Sequence, residues 1–422
     1  MDSSKLADRL RGILHAPKPA VAAQPPAVPP PAGASIEDAL GGQWRDAPAG
    51  ACFVVERRFD PGAAHGRERI GDLAARVDRS AGEAPLVAGG AAARPPFLFF
   101  DLETTGLSGG AGTHAFLVGC AWFDQDGAFL IRQYVMPSYA DERSMLTTVA
   151  GELERAGALV SFNGKSFDAP VLETRYLFHR LAWVGAGRPH VDVLHPARLF
   201  WGDSPAGCSL GALEQDVLGA RRTGDVPGFE IPARYFQFVR TGDARPLAAV
   251  LEHNRLDLLS LAGLTARLLH LVATGHAEAR DAREALALGR VYARGGFDLR
   301  AREALASAAE GAGSGPVRIE ALRALALAWR RARRFDAAAD CWRQLLEERG
   351  CSPTIAREAT EALAIHHEHR VRDLAAAKAF ALRTLEADVR PSWTQAARHR
   401  LARIERKLGG VEKSGSLLDP RL

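Results

Sequence analysis

Short apolar runs separated by helical patterns occupy residues 97–272, which is typical of an α/β fold. The apolar runs predict strands at 97–101, 115–123, 128–135, 158–162 and 190–193. A turn at Asp126-Gly127 joins the second and third strands, and a helical pattern over 142–156 leads into the fourth. Hairpin-joined strands followed by a helix and a parallel strand predict a mixed five-stranded sheet flanked by helices.

Two carboxylates lie one residue apart at the end of the first predicted strand. Because side chains alternate along a strand, Asp101 and Glu103 point to the same face. Two acids on one face repel each other, and a hard divalent metal with oxygen ligands would offset that repulsion. The alternative is a pair of solvated acids at a strand end, and this stretch alone does not separate the two interpretations.

Two further acids occupy positions that suit a site. Asp168 follows the fourth strand and lies near a helix start, at the edge of the sheet where ligands of α/β folds collect. Asp257 lies on a long helical pattern over 245–272, with His253 four residues earlier on the same face. Each has an ordinary alternative: a first-turn acid that favours the helix dipole, and a solvated His–Asp pair.

The chain divides into five segments by composition and pattern. Residues 1–34 are rich in alanine and proline, which cannot form a packed core, and this predicts a disordered arm. Ser35 suits the N-cap of a first helix. The pattern then predicts an N-terminal extension packed on the core over 35–95, the α/β domain over 96–275, a helical repeat domain over 276–410 and a flexible tail over 411–422.

An internal repeat runs through the alanine-rich region that begins near residue 278. Gly289, Tyr292, Ala301, Leu305 and Ala308 share their offsets with Ala326, Trp329, Ala338, Trp342 and Leu345. The spacing is close to the roughly 34 residues of tetratricopeptide helix pairs. It predicts an all-α, tetratricopeptide-like domain whose surface would bind a peptide, a protein or nucleic acid.

Composition narrows the class of protein only slightly. The net charge of +4 and the pI near 8.9 permit a polyanionic partner without demanding one. The five cysteines are scattered and form no Cys-x-x-Cys pair, which argues against a zinc or redox motif and suits a reducing cytoplasm. No apolar run approaches the roughly 20 residues of a membrane span, so we expect a cytoplasmic protein without a membrane partner.

The order of the acids resembles the DEDD superfamily of 3′–5′ exonucleases, which have a ribonuclease H-like fold. Asp101-x-Glu103-Thr matches the first motif of that superfamily, and Asn163-x-x-x-Phe167-Asp168 resembles the second. The resemblance implies a ribonuclease H-like α/β domain followed by the helical repeats. It also implies a metal-dependent nuclease, most directly a 3′–5′ exonuclease.

The third motif of that superfamily is Tyr or His shortly before the last Asp. His253 stands four residues before Asp257, where one branch has Tyr, whereas the other branch has His five residues before. The chain is more similar still to the YprB-like family of predicted ribonuclease H-like nucleases, which often carry tetratricopeptide repeats. The similar segments are 100–110, 192–198, 225–232 and 253–257, within a resemblance that spans about 96–272.

The resemblance implies a site with two Mg²⁺ or Mn²⁺ ions that acts on DNA or RNA. Asp101 would ligate both ions. Glu103 and Asp257 would complete one ion site, and Asp168 would serve the other. His253 would act as the general base at about neutral pH.

The same resemblance implies a set of substrate-binding residues. Thr104, Thr105, Gly106 and Asn163 would position the terminal nucleotide. Lys165 would offset phosphate charge, although a solvated lysine is an equal alternative. Two other functions stay open: a structure-selective endonuclease on the same fold, and a non-catalytic scaffold that uses the helical repeats to bind nucleic acid or protein.

Overall fold

The computed structural model describes residues 35–106, 112–202, 207–386 and 391–416. The predicted disordered arm over 1–34 and the end of the predicted tail, residues 417–422, lie outside this range. Within it the chain forms a mixed β-sheet flanked by helices, followed by an all-helical region. The predicted fold class is confirmed.

The main sheet has seven strands in the order β1-β2-β7-β6-β5-β8-β9, with a separate β3-β4 hairpin. The strands are β1 Gln43–Ala47, β2 Gly50–Phe59, β3 Ala64–His65, β4 Glu68–Arg69, β5 Phe97–Thr104, β6 Ala115–Phe123, β7 Phe129–Val135, β8 Ala158–Ser161 and β9 His190–Asp192. β8 is parallel to both β5 and β9, and the other pairs of the main sheet are antiparallel. The sheet exceeds the predicted five strands because the N-terminal extension adds β1 and β2 beyond β7.

Helices cover the sheet and then continue alone. Around the sheet they are α1 Ile36–Leu40, α2 Ile70–Ser80, α3 Ala84–Val87, α4 Glu142–Arg155, α5 Asp168–Phe178, α6 Leu194–Trp201, α7 Leu210–Leu213, α8 Ile231–Thr241 and α9 Arg245–Thr274. The helical region consists of α10 Ala282–Arg294, α11 Asp298–Gly311, α12 Pro316–Arg331, α13 Phe335–Glu347, α14 Pro353–His366, α15 Leu374–Glu386 and α16 Pro391–Ser416. The last helix therefore continues past residue 410, where the pattern predicts the tail to begin.

Two hydrophobic clusters form the core of the sheet domain, one on each face. Alternate residues of β5 enter different clusters, so Phe99 packs in one and Phe100 in the other. Helix α9 contributes to both, with Val250 in one cluster and Leu258 in the other. Its length and composition would suffice for a membrane span, but 72% of its most apolar stretch is buried inside the protein.

The helical region is built by packing consecutive helices against each other. Small residues allow the first pair to approach closely: a Cβ atom on Gly289 of α10 would lie 2.5 Å from Leu305 of α11. Side chains shared by α10, α12 and α14 continue the hydrophobic core along the region. The tetratricopeptide-like character of these pairs stays a prediction.

A buried glutamate fixes the first of these helices to the sheet domain. Glu284 of α10 accepts hydrogen bonds from the Trp201 indole at 2.9 Å and from the Arg267 guanidinium at 2.9 Å. Arg280 donates two further hydrogen bonds to the Glu284 carboxylate, one from its backbone N–H and one from its guanidinium. Trp201 ends α6 and Arg267 lies on α9, so one carboxylate connects three elements. The start of the helical region is thus part of the same packed body as the sheet.

Replacing Glu284 with Gln should destabilise the protein by about 2–4 kcal/mol, because it removes the buried charge that pairs with the half-buried guanidinium of Arg267. Urea unfolding followed by circular dichroism at pH 7 measures the loss. The exposed Glu310→Gln variant is the control and should change stability by less than about 0.5 kcal/mol. Equal stability of the two variants would contradict the role given to Glu284.

Candidate functional site

Two parallel strands bring three of the acids to one edge of the sheet. β5 and β8 pair in parallel, so their carboxyl ends meet at the same edge. Asp101 and Glu103 lie near the end of β5, and the turn after β8 leads into α5, which begins at Asp168. A backbone hydrogen bond from Leu102 reaches the Asp168 carboxyl group. Asp168 therefore lies directly beside the two strand acids.

Helix α9 crosses the sheet at the same point. The Asn254 side chain, which is fully buried, donates to the Asp101 carboxylate at 2.8 Å. Asn254 is oriented in turn by the Gln133 amide of β7, which donates to its oxygen at 2.9 Å. Gly119, the partner of Asp101 on β6, makes this approach possible, since a Cβ atom there would lie 2.3 Å from the Asn254 oxygen.

Asp257, one turn further along α9, enters a network of charged side chains. Arg222 donates to Asp257 at 2.5 Å, to Asp225 at 3.0 Å and to Glu214 at 2.6 Å. Glu214 is buried, in the π-helical turn 214–218 that follows α7. Arg222 is thus a counter-ion shared by three carboxylates, and it fixes the position of Asp257.

His253 faces the same acids from α9. Its Nδ1 atom lies 2.8 Å from the Asp225 carboxylate, and its Nε2 atom lies 3.5 Å from the Asp257 carboxylate. A carboxylate on Nδ1 favours the tautomer with the proton on that nitrogen, which leaves Nε2 as the acceptor. His253 is half-buried and lies at the margin of the acid cluster.

Electrostatic interactions connect the four carboxyl groups. Burial raises the pKa of Asp101 and of Glu103 well above the usual range, and repulsion from Asp257 and Asp168 raises both further. Burial also raises the pKa of Asp168 to about 7, with repulsion from other acids adding to the effect. Burial raises the pKa of Asp257 too, although Arg222 and His253 oppose that shift. A cation placed among these groups would relieve both repulsion and desolvation.

The donor set fits a hard divalent cation, because carboxylate oxygens are the ligands that Mg²⁺ and Mn²⁺ prefer. Among the described residues, however, no group of three or more His, Cys, Asp or Glu side chains is already arranged to hold a metal ion. Asn254 and Arg222 instead take up part of the negative charge of Asp101 and Asp257.

The predicted substrate-binding residues lie in two turns at this edge. The Thr104 hydroxyl donates to the Gly106 carbonyl at 2.9 Å, and the Thr105 hydroxyl accepts from the His114 backbone at 3.0 Å, so both stabilise their own turn. Asn163 adopts a left-handed backbone with φ of 66°, and Lys165 is exposed. Their roles toward a substrate stay predictions.

Several residues that build this site were not predicted as part of it. Asp192, which the sequence places on a strand without a catalytic role, accepts the backbone N–H groups of Asn163 at 2.8 Å and Lys165 at 3.1 Å and so shapes that turn. A sequence signal was present for two of the others. Asn254 follows His253 directly in the helical pattern, and Asp225 begins the segment 225–232, which is similar to the YprB-like family. Arg222 lies in a polar stretch three residues before the similar segment 225–232 and belongs to none of the predicted motifs.

Comparison with known proteins shows what the part of the chain that carries this site is similar to. Residues 98–269 match the RNase_H_2 family model of the RNase_H superfamily. The match includes all four acids and His253.

A relative is known in Bacillus subtilis (strain 168). The chain is 39% identical over 171 residues to its uncharacterized protein YprB, a similarity that covers 39% of this chain and 40% of YprB. Among solved structures, the family B DNA polymerase of Pyrobaculum calidifontis is similar with a TM-score of 0.36 and 15% identity, over 57% of this chain and 30% of the polymerase. At that TM-score the resemblance does not bear on function.

Replacing Gly119 with Ala should destabilise the protein by about 1–3 kcal/mol and displace Asn254 from Asp101, because the added Cβ would overlap the Asn254 oxygen. Urea unfolding measures the change. Gly151→Ala on α4 is the matched control, since no heavy atom lies within 4 Å of its Cβ position. That control should be neutral or up to about 1 kcal/mol more stable. A Gly119→Ala variant as stable as the control would refute the close packing of Asn254 on β6.

Proposed function

We propose that this protein is a divalent-metal-dependent nuclease of the DEDD type that acts as a 3′–5′ exonuclease on DNA or RNA. The observation that carries the proposal is the convergence of four acids from three separate elements at one edge of a sheet. Burial, and then repulsion from the neighbouring acids, raises the pKa of Asp101 and Glu103. The superfamily match over the same residues supports a nuclease rather than another use of the fold.

In the proposed enzyme, Asp101, Glu103, Asp168 and Asp257 hold two Mg²⁺ or Mn²⁺ ions. When bound, these ions supply the Lewis acidity that activates water and stabilises charge on the leaving oxygen. The other residues orient the ligands: Asn254 holds Asp101 in place, and Arg222 holds Asp257. A guanidinium beside the cluster also offsets part of the phosphate charge that a substrate brings.

His253 is the proposed general base. Its Nδ1 atom is bonded to Asp225, so the Nε2 atom is free to take a proton at the acid cluster. General-base catalysis by a positioned side chain contributes about 10²–10⁴-fold to a rate. Asp225 acts here as a positioning residue, because its carboxylate is bonded to the ring at Nδ1 and to Arg222.

The proposed setting follows from the same features. All five cysteines are free thiols, which suits the reducing cytoplasm that we propose as the location. Nucleic acid is the proposed substrate, and the helical region is proposed to bind a protein or peptide partner. Its consecutive packed helices resemble the extended surfaces that repeat proteins use for this purpose.

Asp101→Asn should lower the rate of oligonucleotide hydrolysis with Mn²⁺ by about 100-fold or more, since it removes charge from the centre of the cluster. End-labelled single- and double-stranded DNA and RNA, analysed on sequencing gels, measure the rate and show whether single nucleotides leave from the 3′ end. The exposed Asp78→Asn variant on α2 is the control and should match the parent. If Asp101→Asn is as active as the parent, the hydrolysis does not occur at the acid cluster.

Circular single-stranded substrates separate the exonuclease from an endonuclease, because only the latter cuts a molecule without ends. Hydrolysis of circles at the same rate as linear strands would contradict the exonuclease assignment. Failure of the parent protein to degrade any of these substrates with Mg²⁺ or Mn²⁺ would contradict the nuclease itself.

His253→Ala should reduce the single-turnover rate by about 10²–10⁴-fold without comparable loss of substrate binding. Asp225→Asn should cause a smaller reduction, because the ring remains but loses its orienting carboxylate. Single-turnover rates and binding of an uncleaved oligonucleotide in Ca²⁺ give the two quantities separately. A larger effect of Asp225→Asn than of His253→Ala would contradict this division of roles.

A further inference from the structure

A groove runs between the sheet domain and the first helix of the helical region. Its volume is about 470 Å³, within the range of about 300–1,000 Å³ that is typical of ligand sites. The loop 86–90 forms one side, Lys165 and His195 form the second, and Arg294 at the end of α10 forms the third. We call this feature the junction groove.

The junction groove carries an excess of positive charge. Lys165, His195 and Arg294 are exposed, and within the described part of the chain none of the three has an ion-pair partner. The acid that also lines the groove, Asp192, is buried and its oxygens already accept the backbone N–H groups of Asn163 and Lys165. The charge available to a ligand is therefore cationic.

The walls of the groove are held rigidly. Asp192 fixes the turn that presents Lys165, and Glu284 fixes α10 to the sheet domain. Gly295, directly after Arg294, packs so closely that a Cβ atom there would lie 2.4 Å from Leu86. A site with preorganised walls loses little conformational entropy when a ligand binds.

Backbone is also accessible on the loop side. Gly89 and Gly90 have φ values of 72° and 95°, and no heavy atom lies within 4 Å of either Cβ position. An elongated ligand can thus approach the main chain there, as phosphates do at glycine-containing loops. The combination of open backbone, lysine and arginine suits a chain of phosphodiesters better than a single small anion.

The groove begins beside the acid cluster. Gly164 immediately precedes Lys165, and a Cβ atom on Gly164 would lie 3.0 Å from the Asp168 carboxylate. We propose that the junction groove binds the sugar-phosphate backbone of a single nucleic-acid strand whose end lies at the acids. This inference rests on the proposed nuclease function and assigns Arg294 and His195 to substrate binding.

The test measures binding separately from cleavage. Fluorescence anisotropy of labelled dT12 and rU12 in Ca²⁺ compares the full-length parent with Arg294→Glu and with His195→Glu. Each substitution places a negative charge in the groove and should weaken binding of the 12-mers about 10-fold at 0.1 M salt. Arg294→Glu should also lower the salt slope, because a phosphate contact is lost. Binding of labelled dT2, which is too short to extend along the groove from the acids, should be unchanged.

Arg331→Glu on α12 is the matched control, since it reverses the same charge on the exposed surface of the helical region away from the groove. It should leave the affinity within about 2-fold of the parent. Equal weakening by Arg331→Glu and Arg294→Glu would show diffuse electrostatic attraction and would contradict binding in the groove. Unchanged 12-mer binding by both groove variants would also contradict it, even if the parent cleaves DNA or RNA. If the parent neither binds nor cleaves any oligonucleotide, both the proposed nuclease function and the proposed role of the groove are contradicted.

Discussion

Repulsion among four buried carboxyl groups is the constraint on which this structure depends. Placing Asp101, Glu103, Asp168 and Asp257 together costs free energy through desolvation and like charge, and the same two effects raise the pKa of these groups. Such an arrangement persists only when the surrounding fold over-determines it. Here β5 fixes Asp101 and Glu103, the start of α5 fixes Asp168, and α9 fixes Asp257. A cation bound at this edge would relieve that repulsion.

The hydrogen bonds and ion pairs that balance the negative charge of the acids extend well beyond the four carboxyl groups. Arg222 binds Asp257 and also Glu214, and Glu214 accepts the Ser260 hydroxyl at 2.6 Å. Ser260 in turn lies 2.9 Å from the buried His65 ring. His65 belongs to the small β3-β4 hairpin of the N-terminal extension, so this extension is coupled to the acids through buried hydrogen bonds. Buried polar networks of this kind stabilise only when every member is satisfied.

Sequence reasoning succeeded where local periodicity determines structure. Alternation along β5 places Asp101 and Glu103 on one face, and the apolar runs predict the mixed sheet that the structure shows. The two additional strands were harder to predict, because pairing of β2 with β7 joins segments far apart in sequence. Arg222 and Asn254 escaped prediction for the same reason: each is defined by a partner more than thirty residues away. The roles of the site residues toward metal and substrate stay predictions.

The connection to the helical region determines how a bound partner would relate to the acids. Tyr292 of α10 donates to the Val272 carbonyl of α9 at 2.8 Å, and Arg300 of α11 donates to the same carbonyl. These bonds add to those of Glu284, so the first helix pair continues the core that also contains Leu258. In a stack where each helix packs on the next, fixing the first pair fixes the direction of the whole region. A ligand held by the helices would therefore meet the acid edge in one orientation, which a flexible linker could not provide.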